Sequence, residues 1–189
     1  MIRSRWTSGD LEVMPFEDGK RYEIIDGELY VSRQPHLNHQ RVCNRTGHVL
    51  EIWSEESGLG WVYQAPGIIF AEEDDVAPDV VWVSKARLPL IVESDGKFHA
   101  APELIVEVLS PGPVTRKRDR EVKLNLYSRR GVLEYWMVDW ERKQVEVYRR
   151  ENAQLAHAAT LSEGDTLTSP VLRGFSCRVD SLFFGVGII

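Results

Sequence analysis

Pro102-Glu103-Leu104-Ile105-Val106-Glu107-Val108-Leu109-Ser110-Pro111 is the stretch that decides how this chain folds. Leu104 to Leu109 is almost continuously apolar and rich in β-branched residues, the pattern of a strand buried on both faces. Ser110-Pro111-Gly112-Pro113 ends it. One residue breaks the pattern. By the alternation of a strand, Glu107 shares a face with Ile105 and Leu109. A lone buried carboxylate costs several kcal/mol, so Glu107 must be paired, protonated or bound to a metal.

Working outward, the neighbouring segments supply a sheet and its cover. Upstream, Pro78-Asp79 leads into the β-branched and aromatic run Val80–Val83, after short strands at Trp61–Gln64 and Gly67–Phe70. Before these, Pro35 opens a helix over roughly His36 to Glu56, in which Val42, Thr46, Val49, Leu50 and Trp53 recur at helical spacing and Gly58 is the stop. Downstream, Thr115 to Arg130 is a strongly charged helix ended by Gly131, followed by strands at Glu134–Val138 and Gln144–Tyr148. At the N-terminus, Thr7 to Phe16 reads as a short helix with Thr7 as N-cap and Asp10 three residues on. Arg21 to Val31 reads as a hairpin, because Asp26-Gly27 tolerates the positive φ of a type I′ turn. Residues 85–101 read as a polar loop and the last 40 as further β structure. The expected fold is α/β: helix, three strands, helix, strand, in a mixed sheet flanked by helices, with an N-terminal β-hairpin. One domain over 1–189 is expected, divided into a helix and hairpin (7–34), a core (35–150) and a C-terminal β extension (151–189).

Composition narrows the function. The 189 residues are 43% hydrophobic and 28% charged, which excludes global disorder. The net charge of −6 argues against a protein that coats nucleic acid or membranes by bulk charge. Cys43 and Cys177 are too few and too far apart for a disulfide framework, and two reduced cysteines are expected. Met1 to Gly19 has no apolar signal-like core, and no apolar run approaches the roughly 20 residues of a membrane span. The cytoplasm is the expected compartment.

Asp79 and Lys123 stand out beside Glu107. Asp79 enters the Val80–Val83 strand, and Lys123 flanks the apolar face that Leu126 and Tyr127 give its helix. Each alone is ordinary: a strand-entry pair, or a lysine in an i,i+4 pair with Asp119. Together they are a kit. Two carboxylates on adjacent strands can hold a hard divalent cation. An ammonium nearby can orient a water and offset charge developing on a phosphate. That chemistry is metal-assisted hydrolysis of a phosphodiester.

The segments Tyr22-Glu23-Ile24-Ile25-Asp26-Gly27-Glu28-Leu29, His39-Gln40-Arg41-Val42, Pro78-Asp79-Val80-Val81, Pro102 to Pro111, Arg118-Asp119 with Lys123-Leu124, and Gly131-Val132 to Asp139 resemble, in that order, the Uma-type putative restriction endonuclease family. That family lies within the PD-(D/E)XK nuclease superfamily, and the resemblance spans roughly residues 7 to 185. It implies a restriction endonuclease-like core in which Asp79 and Glu107 ligate Mg²⁺, with Mn²⁺ as a substitute. The lysine expected two residues after the acid is Leu109 here, and Lys123 takes its place on the following helix. Glu23 matches a further acid of the site, and His39 and Asp119 are expected at the cleft. Arg116, Lys117, Arg118 and Arg120 head a locally basic stretch suited to DNA phosphates. The expected activity is metal-dependent cleavage of duplex or single-stranded DNA, with RNA or branched DNA as other substrates. A homodimer would serve cleavage of both strands. The rival from another class is a non-catalytic nucleic-acid-binding or protein-interaction module on the same fold.

Overall fold

The computed structural model describes residues 5–15, 17–112 and 117–187. The N-terminal elements are α1 (Ser8–Val13), β1 (Lys20–Ile25), β2 (Glu28–Arg33) and α2 (Leu37–Ser57). Strands β3 (Gly60–Gln64), β4 (Ile68–Ala71), β5 (Asp74–Val76) and β6 (Val80–Ser84) follow, then α3 (Leu88–Ile91) and β7 (Leu104–Val108). A π-helical turn, Arg118–Lys123, runs into α4 (Leu124–Arg130). The chain ends with β8 (Glu134–Asp139), β9 (Gln144–Glu151), β10 (Gln154–Ser162), β11 (Thr166–Thr168), β12 (Ser176–Arg178) and a 3₁₀ turn at Val179–Phe183.

The main sheet has six strands in the order β10-β9-β8-β7-β6-β3. Only β7 and β8 run parallel, joined by the crossover through α4, so the sheet is mixed as expected. Strand alternation divides the core. Leu104, Val106 and Val108 join Val80, Trp82 and Trp136 on the face covered by Val42 and Leu50 of α2. Ile105 and Leu109 join Val81, Val83 and Met137 on the face covered by Leu126 and Tyr127 of α4. Glu107 therefore faces α4.

The local signals hold at the element ends. Thr7 and Asp10 form a capping box. Asp26 and Gly27 have φ of 53° and 74°, which is the type I′ turn. His36 caps α2 by accepting from the Asn38 N–H, and Gly58 ends it in the left-handed conformation. Both cysteines are free thiols.

Four expectations are corrected. The strand expected at Gly67–Phe70 is β4, and it leaves the main sheet. It lies in a second sheet, β2-β1-β5-β4, because β5, a strand not expected, bridges it to the hairpin. The three core strands before the crossover are therefore β3, β6 and β7. Residues 85–101 are not wholly polar loop, since they hold α3 and bury Ile91 and Phe98. The first helix ends at Val13, and Phe16 lies outside the described residues. The charged helix opens as a π turn; Thr115 and Arg116 lie outside the described residues.

Candidate active site

The β6–β7 register pairs Val80 with Val106, so one more step sets Asp79 opposite Glu107 at the end of the ladder. Such cross-strand partners point to the same side of the sheet. The Asp79 carboxylate is pinned at both oxygens. Oδ2 accepts from the Val108 N–H at 2.9 Å and lies 3.2 Å from His39 Nε2 of α2. Oδ1 accepts from Arg21 of β1 at 3.1 Å. Glu107 Oε1 accepts from Lys123 Nζ at 2.8 Å and from the Tyr127 hydroxyl at 2.6 Å. Lys123 also reaches Glu23 Oε1 at 2.9 Å, and Arg118 lies 3.6 Å from Glu23 Oε2 and 3.2 Å from Asp119 Oδ1.

Local structure explains the convergence. Arg21 and Glu23 are two apart on β1, so both project to one side of the hairpin sheet. Asp119, Lys123 and Tyr127 follow at intervals of four through the π turn into α4, and all three are buried. A π turn of this kind is often found at functional sites.

The electrostatics are those of crowded acids out of water. Glu23, Asp79, Glu107 and Asp119 are all buried, facing Arg21, Arg118 and Lys123. Burial pushes the Glu107 carboxyl up to about 7, with Asp79, Asp119 and Glu23 adding to the rise and Lys123 opposing it. Burial likewise raises Asp119. At Asp79 burial is outweighed by His39, Arg21 and Lys123, which hold the carboxyl well below its usual range. At Glu23 burial is outweighed by Lys123 and Arg118. The four acids outnumber the lysine and arginine cations by one, and among the described residues Glu23 Oε2 has no hydrogen-bond partner, only the Arg118 guanidinium at 3.6 Å. A surplus of buried carboxylate oxygen suits a hard divalent cation, so the residues present fit Mg²⁺ or Mn²⁺.

A cleft of about 810 Å³ opens onto this cluster. Asp79, Glu107 and His39 form its deep end, with Arg21, Tyr30 and Arg33 of the hairpin on one side and Lys117, Arg118 and Asp119 on the other. Lys123 and Glu23 do not line the cleft; they lie behind Glu107. Arg120 points elsewhere and pairs with Glu146 at 2.6 Å. Lys117 is exposed, 3.9 Å from Glu121. Arg116 lies outside the described residues.

The structure thus brings Asp79, Glu107, Lys123, Glu23, His39, Asp119 and Arg118 together. Sequence reasoning overlooked Arg21, Tyr127 and Cys43. Arg21 shares the face of Glu23 by alternation, and Tyr127 follows Lys123 by four. Cys43 follows His39 by four, and its sulfur lies 3.5 Å from His39 Nδ1.

A family model described as "Uma2: Putative restriction endonuclease" matches residues 9–180. The chain belongs to the Uma2 family. No curated protein matches. Among solved structures, a putative nuclease belonging to DUF820 from Anabaena variabilis ATCC 29413 is similar, with a TM-score of 0.74 at 18% identity. The similarity covers 94% of this chain and 97% of that one. At that identity the likeness concerns the fold alone. Membership of Uma2 gives the chain a nuclease-type family and a mixed α/β nuclease-like fold. Among the described residues, no helix is long and apolar enough to cross a membrane.

Proposed function

We propose that the chain is a Mg²⁺-dependent DNA endonuclease, with Asp79 and Glu107 holding the ion. The observation that carries this reading is the opposed Asp79–Glu107 pair at the deep end of an open cleft, inside a cluster of four buried carboxylates. When bound, a divalent ion there supplies Lewis-acid polarisation of a phosphoryl oxygen and a more acidic water. The chain's own residues do the rest. The Val108 N–H, His39 and Arg21 fix the Asp79 carboxylate in one orientation. Lys123 and Tyr127 fix Glu107. Lys123 is fully buried and is absent from the cleft wall, so it is a positioning residue rather than the group that touches the attacking water. Glu23 holds Lys123 from the far side. Lys117 and Arg33 lie at the cleft mouth, where backbone phosphates would be neutralised.

The test is plasmid nicking with Mg²⁺ or Mn²⁺, run beside calorimetry of metal binding. Wild type should nick, and Glu107→Gln should bind the ion weakly and cut slower by on the order of 10²-fold or more. DNA binding without cleavage at any metal concentration would favour the non-catalytic module. Unchanged Mg²⁺ or Mn²⁺ binding in the variant would sink the assignment.

A further inference from the structure

His39 and Cys43 sit one turn apart on α2, a spacing that places two side chains on the same face of a helix. Asp79 meets them from the main sheet. One donor atom from each of the three residues lies within 4.8 Å of the other two. His39 Nδ1 is 3.5 Å from Cys43 Sγ, and His39 Nε2 is 3.2 Å from Asp79 Oδ2. These donors differ in kind from those of the Glu107 side. Sulfur and imidazole nitrogen are ligands of zinc and its neighbours, whereas Mg²⁺ takes oxygen. Three protein ligands also leave a tetrahedral ion one open position. His39 and Asp79 line the cleft, so an ion could reach these donors from solvent.

We propose that His39, Cys43 and Asp79 form a site for a soft divalent ion of the zinc class. Binding releases the Cys43 thiol proton to solvent and forms a metal–sulfur bond. Without an ion, burial and the nearby Asp79 and Glu107 carboxylates keep that thiol protonated. The zinc-class site and the Mg²⁺ site would share Asp79, so the two ions would compete for its carboxylate. That competition rests on the proposed Mg²⁺ site; the zinc-class site itself does not.

Co²⁺ replaces Zn²⁺ in such sites and reports its ligands by absorption. Titrating the whole protein with Co²⁺ should give a sulfur-to-cobalt charge-transfer band in the near ultraviolet, and Zn²⁺ should abolish it. Cys43→Ser should lose the band, and His39→Gln should weaken Co²⁺ binding at least about tenfold. Circular dichroism identifies variants that keep the fold, and Cys43→Ala serves if the serine variant does not. No sulfur band in wild type, or a band retained without the Cys43 thiol, overturns the proposal. In a parallel titration with Mn²⁺, Zn²⁺ should release the bound ion from wild type. If Mn²⁺ never binds, the Mg²⁺ reading fails while the cobalt band still decides this one.

Discussion

Lys123 and Glu107 hold each other at the centre of the site, and both are removed from water. Removing one partner of such a pair leaves a buried charge uncompensated. Lys123→Ala should therefore destabilise the protein by about 3–5 kcal/mol in urea unfolding, because Glu23 and Glu107 lose their shared cation. Glu107 carries a pH signature. Its carboxyl sits at about 7 in the folded protein against an ordinary 4.5. A raised pKa means the folded state binds the proton more tightly. The resulting stability is fully present below the unfolded pKa and is lost as pH rises through about 7. Glu107→Gln, which mimics the neutral acid, removes this dependence. Thermal melts without metal should show wild type losing ground to the variant between pH 5 and pH 8, by up to about 3 kcal/mol. An equal pH dependence in the two proteins would contradict the buried, crowded environment assigned to Glu107. Glu107 was legible in the sequence because an acid inside an apolar strand demands an explanation. Tyr127 and Cys43 were not, because a tyrosine or cysteine on a helix already has an ordinary reading as core.

The elements differ in how far their sequence announces them. The Asp26-Gly27 hairpin, the Thr7 cap, α2 and the crossover into β8 were legible, since each depends on a local turn, a cap or a strong periodicity. The second sheet was not. The second partner of β1 is β5, a three-residue strand whose Asp75 pairs with Ile24 across 51 positions, and no local pattern encodes that pairing. The π turn was hidden too, because widening a helix by one residue per turn leaves its charge pattern unchanged. A buried clasp fixes the second sheet in place. Asp74, fully buried, accepts from Arg129 and Arg130 at the end of α4 and from the Asp26 N–H of the hairpin turn. Asp74→Asn should cost about 2 kcal/mol and speed hydrogen exchange in β1 and β5, loosening one wall of the cleft. Gly60 in β3 packs where an added Cβ would meet the Val83 carbonyl and the Trp82 indole. Gly60→Ala should lower stability by about 1–3 kcal/mol in denaturant titration, since neither obstacle is the free end of a flexible chain.

For the whole molecule, the net charge of −6 hides an uneven distribution. Several acids are gathered at the bottom of the cleft, while Lys117 and Arg33 stand at its mouth. An acidic chain can therefore present a basic approach to a polyanion and keep its carboxylates for a cation. The second sheet takes part in the same arrangement, because Arg21 and Glu23 of β1 complete the cluster that β6, β7 and the π turn begin. The resemblance in the sequence anticipated most of the residues that meet, though not Arg21, Tyr127 or Cys43. It did not anticipate that Lys123 and Glu23 lie behind Glu107, out of the cleft, because depth depends on packing between two sheets. The central claim is that Asp79 and Glu107 share one hard cation. Crystals soaked in Mn²⁺ and measured at the manganese edge test it most directly. An anomalous peak within on the order of 2–2.5 Å of a carboxylate oxygen of both residues is the predicted result. A manganese peak elsewhere in the protein, with none between Asp79 and Glu107, would contradict it.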